Sequence, residues 1–424
     1  MKPSEVWSMN RCRTVLVMFI LAVLFCEASA QEQRIYDETV RTLQVCADGN
    51  PTLPPWLDKS KHQRVEISWD QMSHEYHRYI YYVYHCDADW QVSDGIFESD
   101  WLAGTNGQPV EDYEKSFNTT QIYTHYRLTI PNKDVGVLLS GNYMVRVYRD
   151  DDVPEEDDPV IEARFCVYEN SVSISQQVSS NTDIDFNDKH QQLTLRVGYG
   201  SLHVNDPLSE FRVMVFQNRR WDSMVTDLKP NERNATGMAF THNRQLVFPA
   251  GNEFHRFEIL DVQRAAAGVD RMEWYEPYYH ATLFADRPAR NYSFLEDQNG
   301  VRVVRSPEDG SESTTAEYVV VHFLLSMPQL PGDDVYVCGQ WTGQAYNPLC
   351  RMEYDKQSGQ YHAAIMLKQG YYSYQYRQGN GSTRLTEGDF FETENEYTTM
   401  VYYRAQGARY DRLVGLSSVR TGKR

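Results

Sequence analysis

Beyond its first 30 residues, this 424-residue sequence has no run of about 18 apolar residues, the least that crosses a bilayer as a helix. A helical membrane span is therefore excluded for the rest of the chain. Cysteine is scarce, seven in all and none spaced as C-x-x-C, which removes the usual zinc-ribbon and thioredoxin readings. Basic residues are outnumbered, 41 Lys and Arg against 59 Asp and Glu, for a net charge of −18. A phosphate backbone needs a basic surface, so no nucleic acid is expected as a partner. There is no G-x-S-x-G elbow and no glycine-rich phosphate loop. Long amphipathic helical patterns are also hard to find.

The ends and the cysteines set the compartment. Lys2, Arg11 and Arg13 precede an apolar run from Val15 to Phe25, followed by Ala28-Ser29-Ala30. This is the pattern of a cleaved export signal, with cleavage expected after Ala30. Cys26 raises a lipoprotein alternative, but Val23-Leu24-Phe25 lacks the small residue normally needed before a modified cysteine. Loss of the signal takes the charge to −19 and leaves Cys46, Cys86, Cys166, Cys338 and Cys350. Cys338 and Cys350 fall in one small unit and are the pair expected to bridge. Sequons at Asn118, Asn234, Asn291 and Asn380 matter only in a eukaryotic secretory route.

Strand signals dominate what is present. In the first region, runs near 36–46, 64–70, 76–86, 122–130, 142–149 and 160–169 predict a β-sandwich of immunoglobulin-like type. The acidic run from Asp150 to Asp158 is expected as a solvated hairpin tip rather than a calcium loop. From His77 to Cys86 both faces of the strand carry rings. That suits a strand packed on its core while touching another surface. A second sandwich is expected over 171–305, with 262–274 a short helix or irregular, then a polar linker over 306–315. A third, over 316–412, has apolar runs at 318–324, 335–341, 361–367 and 371–376, an order similar to the early-set sandwiches related to glycogen-binding modules, with 413–424 as a tail. The fold class is thus all-β, with tandem immunoglobulin-like and early-set β-sandwich domains. Trp341 lies near a sugar-platform position of such modules, but a second platform tryptophan is missing; core or interface is weighed above sugar.

Chemical motifs fare poorly. His74-Glu75-Tyr76-His77 is one residue short of H-E-x-x-H, whose histidines must lie four apart on a helix to share a metal. Asp87 with Asp89, or Glu98 with Asp100, are formally acid pairs, yet nothing selects either for glycoside chemistry. No catalytic residue, metal or cofactor is expected. The loop from Asp87 to Asn118 is different, because connections of more than about 15 residues without structure of their own are uncommon. Long loops on rigid sandwiches often bind, and aromatic residues anchor interfaces. Partner contacts are expected at Asp89, Trp90, Phe97, Glu98, Trp101, Asn106, Gln108, Asp112, Tyr113 and Phe117. The competing reading packs these rings against their own sandwich.

Several long runs carry a resemblance. They are His74-Glu75-Tyr76-His77-Arg78-Tyr79, Cys86-Asp87-Ala88-Asp89-Trp90, Asn106-Gly107-Gln108-Pro109, Asp112 to Thr119, Phe248 to Glu258, and Tyr402-Tyr403-Arg404 with Gly407 to Arg412. In this order the chain resembles the plug-protein family of the bacterial type IX secretion system. The resemblance implies a non-enzymatic periplasmic subunit, associated with the outer membrane and monomeric when free. Its implied partner is the very large outer-membrane β-barrel translocon, which it closes when no cargo is present. A secreted or surface glycan-binding protein on the same sandwiches is the alternative.

Overall fold

The structure is a computed structural model and describes residues 33–150, 152, 154, 157–307, 310–343 and 346–422. The export signal expected over 1–30 lies outside them. The described chain is almost entirely β and builds three sandwiches, each closing a core between two sheets. Among the described residues no helix is long and apolar enough to cross a membrane, which says nothing of strands.

In the first sandwich one sheet runs Arg34–Ile35, Ile161–Tyr168, Gly141–Arg149, Tyr79–Cys86 and Gln108–Pro109, with Trp56–Asp58 parallel to Ile161–Tyr168. The facing sheet runs Val40–Ala47, Val65–Gln71, Thr124–Ile130 and Asp112–Lys115. Thr124–Ile130 shows why these segments are strands: its residues alternate buried and half-buried along THYRLTI, the period of a sheet with one core face. The core is aromatic. Trp69 stacks on Tyr126 at 5.5 Å, and Tyr79 meets the pair edge-on. The acidic run lies between the paired strands Gly141–Arg149 and Ile161–Tyr168, although Asp151, Val153, Glu155 and Glu156 fall outside the described residues.

The other two sandwiches are interleaved along the chain. One sheet of the second holds Ser173–Ser179, His190–Gly198, Gly237–Phe240, Glu232–Arg233 and Val247–Pro249. Its facing sheet is Phe211–Gln217, Glu396–Tyr403 and Arg412–Arg420. The third sandwich lies between Val247–Pro249 and Glu396–Tyr403 in sequence. It sets His255–Ile259, Gly370–Gln378, Arg302–Val304 and Val335–Cys338 against Val269–Tyr275, Tyr278–Leu283, Tyr318–Leu325, Gln360–Lys368 and Glu353–Asp355.

This pairing cuts across two expected boundaries and one local expectation. Strands at 255–283, expected in the second unit, hydrogen-bond within the third, Tyr278–Leu283 running parallel to Tyr318–Leu325. The segment expected as a tail is the strand Arg412–Arg420, with Leu413 and Val414 fully buried. The segment expected as a short helix or irregular connection at 262–274 supplies most of the strand Val269–Tyr275. The physical reason is common to all three: strand pairing is decided by tertiary burial, which local composition does not encode. The expected linker over 306–315 packs as well, since Phe117 N donates to Thr314 O and Lys368 Nζ donates to Ser313 O.

Buried polar contacts brace the sandwiches. Between first and third, Asp70 accepts from Lys368 Nζ at 2.7 Å and from the Tyr318 hydroxyl at 2.6 Å, with His125 Nδ1 at 2.7 Å. Burial alone would raise the Asp70 pKa, but Lys368 and His125 outweigh it and hold it at about 2. Between first and second, Trp56, Cys86, Ala88 and Trp90 pack against Met214, Phe216, Met400, Tyr402 and Leu413.

The expected bridge between Cys338 and Cys350 is not formed. Both are buried thiols, pushed up to about 11 and about 12 by desolvation. They lie on different elements, Cys338 ending a strand and Cys350 closing a single 3-10 turn, and sequence proximity does not set the Cβ geometry a bridge needs. Cys46, Cys86 and Cys166 are also buried thiols.

Candidate partner interface

The loop from Asp87 to Asn118 is not structureless. It holds the helix Glu98–Trp101, the strand Leu102–Gly104 paired with Val135–Val137, and two further strands, Gln108–Pro109 and Asp112–Lys115. Its ten expected contact residues divide by what their side chains touch.

Five serve the protein's own interior or turns. Trp101 is 6% exposed and joins the first core. Trp90 is 3% exposed and meets Trp221 of the second sandwich edge-on at 6.1 Å, with the Arg164 guanidinium 5.3 Å from its ring centre. Asn106 imitates a strand partner: its Oδ1 accepts from Val83 N at 2.8 Å and its Nδ2 donates to Val83 O at 2.9 Å. The same Nδ2 donates to Glu98 Oε2 at 3.0 Å, so Glu98 steadies the turn. Gln108 pairs with Tyr81 across the sheet edge. Gly107 between them has φ +77°, a left-handed conformation that favours glycine, and a Cβ there would press on the Tyr82 hydroxyl.

The other five face solvent. Asp89 only caps its own turn, accepting from Gln91 N. Phe97 is 73% exposed and Phe117 is 69% exposed. Asp112 and Tyr113 lie on the edge strand Asp112–Lys115, all four residues of which are exposed. Tyr113 stacks on Tyr126 beneath it and leans on Tyr76 at 5.1 Å. Tyr76, largely exposed, extends this aromatic edge and was not singled out from sequence. Its signal was present in the Tyr-rich run at 76–84, but exposure depends on register. Asp112, Glu114 and Lys115 give the edge charges of the kind that block uncontrolled strand addition.

Two of the runs that carry the resemblance meet in space. Arg404 Nη2 reaches Asp87 at 2.6 Å and its Nε donates to Asp411 at 2.7 Å. Ala88 N donates to Asp411 Oδ2, and Asp411 N to Asp87 Oδ1. Thus Cys86–Trp90 and Tyr402–Arg412 form one clamp between the first and second sandwiches. In the run at 248–258, His255 bridges Asp286 at 3.1 Å and Glu387 at 2.8 Å.

Glu253, in that same run, gives a pH prediction. Burial, with Asp297 and Glu394 nearby, pushes its pKa up to about 7, although the Tyr292 hydroxyl and Glu394 N donate to it. Asp297 is raised by burial to about 6. A raised carboxyl favours the protonated fold, so this contribution is complete below about 4.5 and is lost as pH rises towards 7. Glu253→Gln should therefore gain on the native chain between pH 5 and pH 8, by on the order of 2 kcal/mol in urea unfolding. His322, held down to about 4 by burial and by His362 and His280, acts with the opposite sign. The comparison must accordingly be variant against native at each pH. An unchanged gap across the range would remove Glu253 as the cause.

His280, His322 and His362 form a row across three strands, each nitrogen contact running to the next ring at 2.8 and 3.1 Å rather than to a common centre. Among the described residues no group of three or more His, Cys, Asp or Glu is placed to hold a metal ion. Trp341 donates Nε1 to Ser373 O and packs on Phe323 and Tyr372, which places it with the third core.

The first sandwich is where the family is decided. Residues 40–169 match the model described as the type 9 secretion system plug protein 1st domain. The chain belongs to the type IX secretion plug family. A solved structure described as a hypothetical protein from Parabacteroides merdae is 36% identical, with a TM-score of 0.87. The match covers 92% of this chain and 100% of that one, so the three-sandwich arrangement is shared over nearly its whole length. No curated protein matches the chain. The plug family is associated with secretion through the bacterial envelope and is not a family of known enzymes.

Proposed function

We propose that this plug-family protein is a non-enzymatic periplasmic subunit that closes the outer-membrane type IX translocon when no cargo occupies it. The observation that carries the reading is the family match over the first sandwich. The physical support is the bracing described above: three sandwiches tied by buried pairs suit a body that must fill an opening without deforming. The contact must also release. Exposed rings among charges, Phe97, Tyr113 and Phe117, with few deep anchors suit a hydrated and reversible interface.

The test is affinity purification of the tagged protein from gently solubilised envelopes of its host. A single very large outer-membrane barrel should co-purify near stoichiometrically, in its cargo-free form. Absence of that barrel rejects the reading. The double variant Phe97→Ala/Phe117→Ala should keep its folding stability within about 0.5 kcal/mol, since both rings are exposed. It should recover about tenfold less barrel if these rings are interface anchors. Undiminished recovery would move the contact to another face.

A further inference from the structure

Where the three sandwiches meet, a semi-enclosed cavity of about 160 Å³ opens between the 43–56 segment of the first, the 218–222 turn of the second and the 299–302 and 339–343 segments of the third. Its walls carry four arginines, Arg219, Arg220, Arg302 and Arg377, and a single acidic side chain, Asp222. Such an excess of positive charge is unusual in a chain of net charge −18.

The arginines are only partly satisfied. Arg219 pairs with Glu396 at 3.1 Å and donates to Thr52 O. Arg220 pairs with Asp222 at 2.9 Å and donates to Gly381 O. Arg302 and Arg377 are more than nine-tenths buried, and the Nε of each, itself closed off from solvent, has no hydrogen-bond partner among the described residues. Arg302 spends Nη2 on the Leu43 carbonyl at 3.1 Å, with Gln44 Oε1 and Thr42 O at 3.4 and 3.5 Å, and Arg377 has Asp222 only at 3.6 Å. Burial and the nearby Arg220 push the Arg377 pKa below the usual arginine range. Burial alone would raise Asp222, yet Arg220 and Arg377 hold it at about 2, so one carboxylate already serves two guanidiniums. A buried charge without a counter-charge is costly, and guanidinium forks match oxyanions.

We infer that this three-way junction is a binding site for a small oxyanion, of the phosphate or carboxylate kind, that ties the sandwiches together. The cavity has room for such an ion with water, since one water needs only about 10–15 Å³ on this scale. Arg302 and Arg377 would supply the added charge-assisted donors, while Asp222 competes with the ligand.

The probes are inorganic phosphate and citrate, titrated into the purified protein and compared with chloride at matched ionic strength. Thermal unfolding and calorimetry are the readouts. Saturable stabilisation is expected from at least one oxyanion and none beyond ionic strength from chloride. Phosphate alone would indicate a tetrahedral ligand, citrate alone a carboxylate. Arg377→Met should weaken binding about tenfold. If that variant does not fold, Asp222→Asn decides: removing the competing carboxylate should tighten binding. Oxyanions that act no differently from chloride, or an Asp222→Asn variant that binds more weakly, would overturn the inference.

Discussion

Lys368→Met should cost about 3–5 kcal/mol of stability, because it removes one member of a buried pair and leaves the other charge behind. Both side chains are essentially inaccessible, and their contact at 2.7 Å joins the third sandwich to the first. After the change Asp70 keeps the Tyr318 hydroxyl and His125 but loses its full positive charge. The ammonium also lies 4.1 Å from the centre of the Tyr123 ring, a contact that methionine replaces only in part. Asp70→Asn/Lys368→Met should recover much of the loss, since removing both charges also removes their desolvation cost. The same pair sets an acid limit. Asp70 is held at about 2 against an ordinary 3.8, so its contribution is present above about pH 4 and is lost as pH falls towards 2. Urea unfolding at pH 7 checks the first claim: a Lys368→Met variant within 1 kcal/mol of native would mean that the pair does not brace the sandwiches.

How far the sequence speaks depends on how local each feature is. Thr124–Ile130 and Tyr318–Leu325 were legible because one face is buried and the other is not, so the alternation is written in the residues. Glu396–Tyr403 was silent for the opposite reason. All eight of its residues are buried, and its second face lies against the first sandwich, where the Tyr402 hydroxyl donates to Asn142. A strand buried on both faces has no alternation to read. The insertion of the third sandwich into the second was invisible on the same ground, because the partner of Glu396–Tyr403 is Phe211–Gln217, nearly two hundred residues earlier. The 87–118 loop shows the limit at single residues. Trp90, Phe97, Trp101 and Phe117 share one composition, yet two face inward and two outward, and what separates them is backbone geometry.

Trp90 is the sharpest case, and Trp90→Ala should cost about 3–5 kcal/mol by opening a cavity between the first and second sandwiches. Its ring meets Trp221 and lies in the cluster with Met214, Phe216, Met400, Tyr402 and Leu413. It holds that position at φ +65°, a left-handed conformation that a tryptophan adopts only when its surroundings insist on it. Trp90→Gly should therefore be milder than Trp90→Ala by about 1 kcal/mol, since glycine relieves the backbone while leaving a similar void. The Arg404 clamp lies beside the same joint, so loosening should be local. Hydrogen exchange should rise first along Cys86–Trp90 and Arg412–Arg420, while the third core stays protected. Partner recovery separates this role from a contact role. A Trp90→Ala variant that remains as stable as the native chain yet loses the proposed barrel partner would make Trp90 an anchor for that partner. The packing instead predicts that lost stability comes first and that any loss of the barrel follows from it.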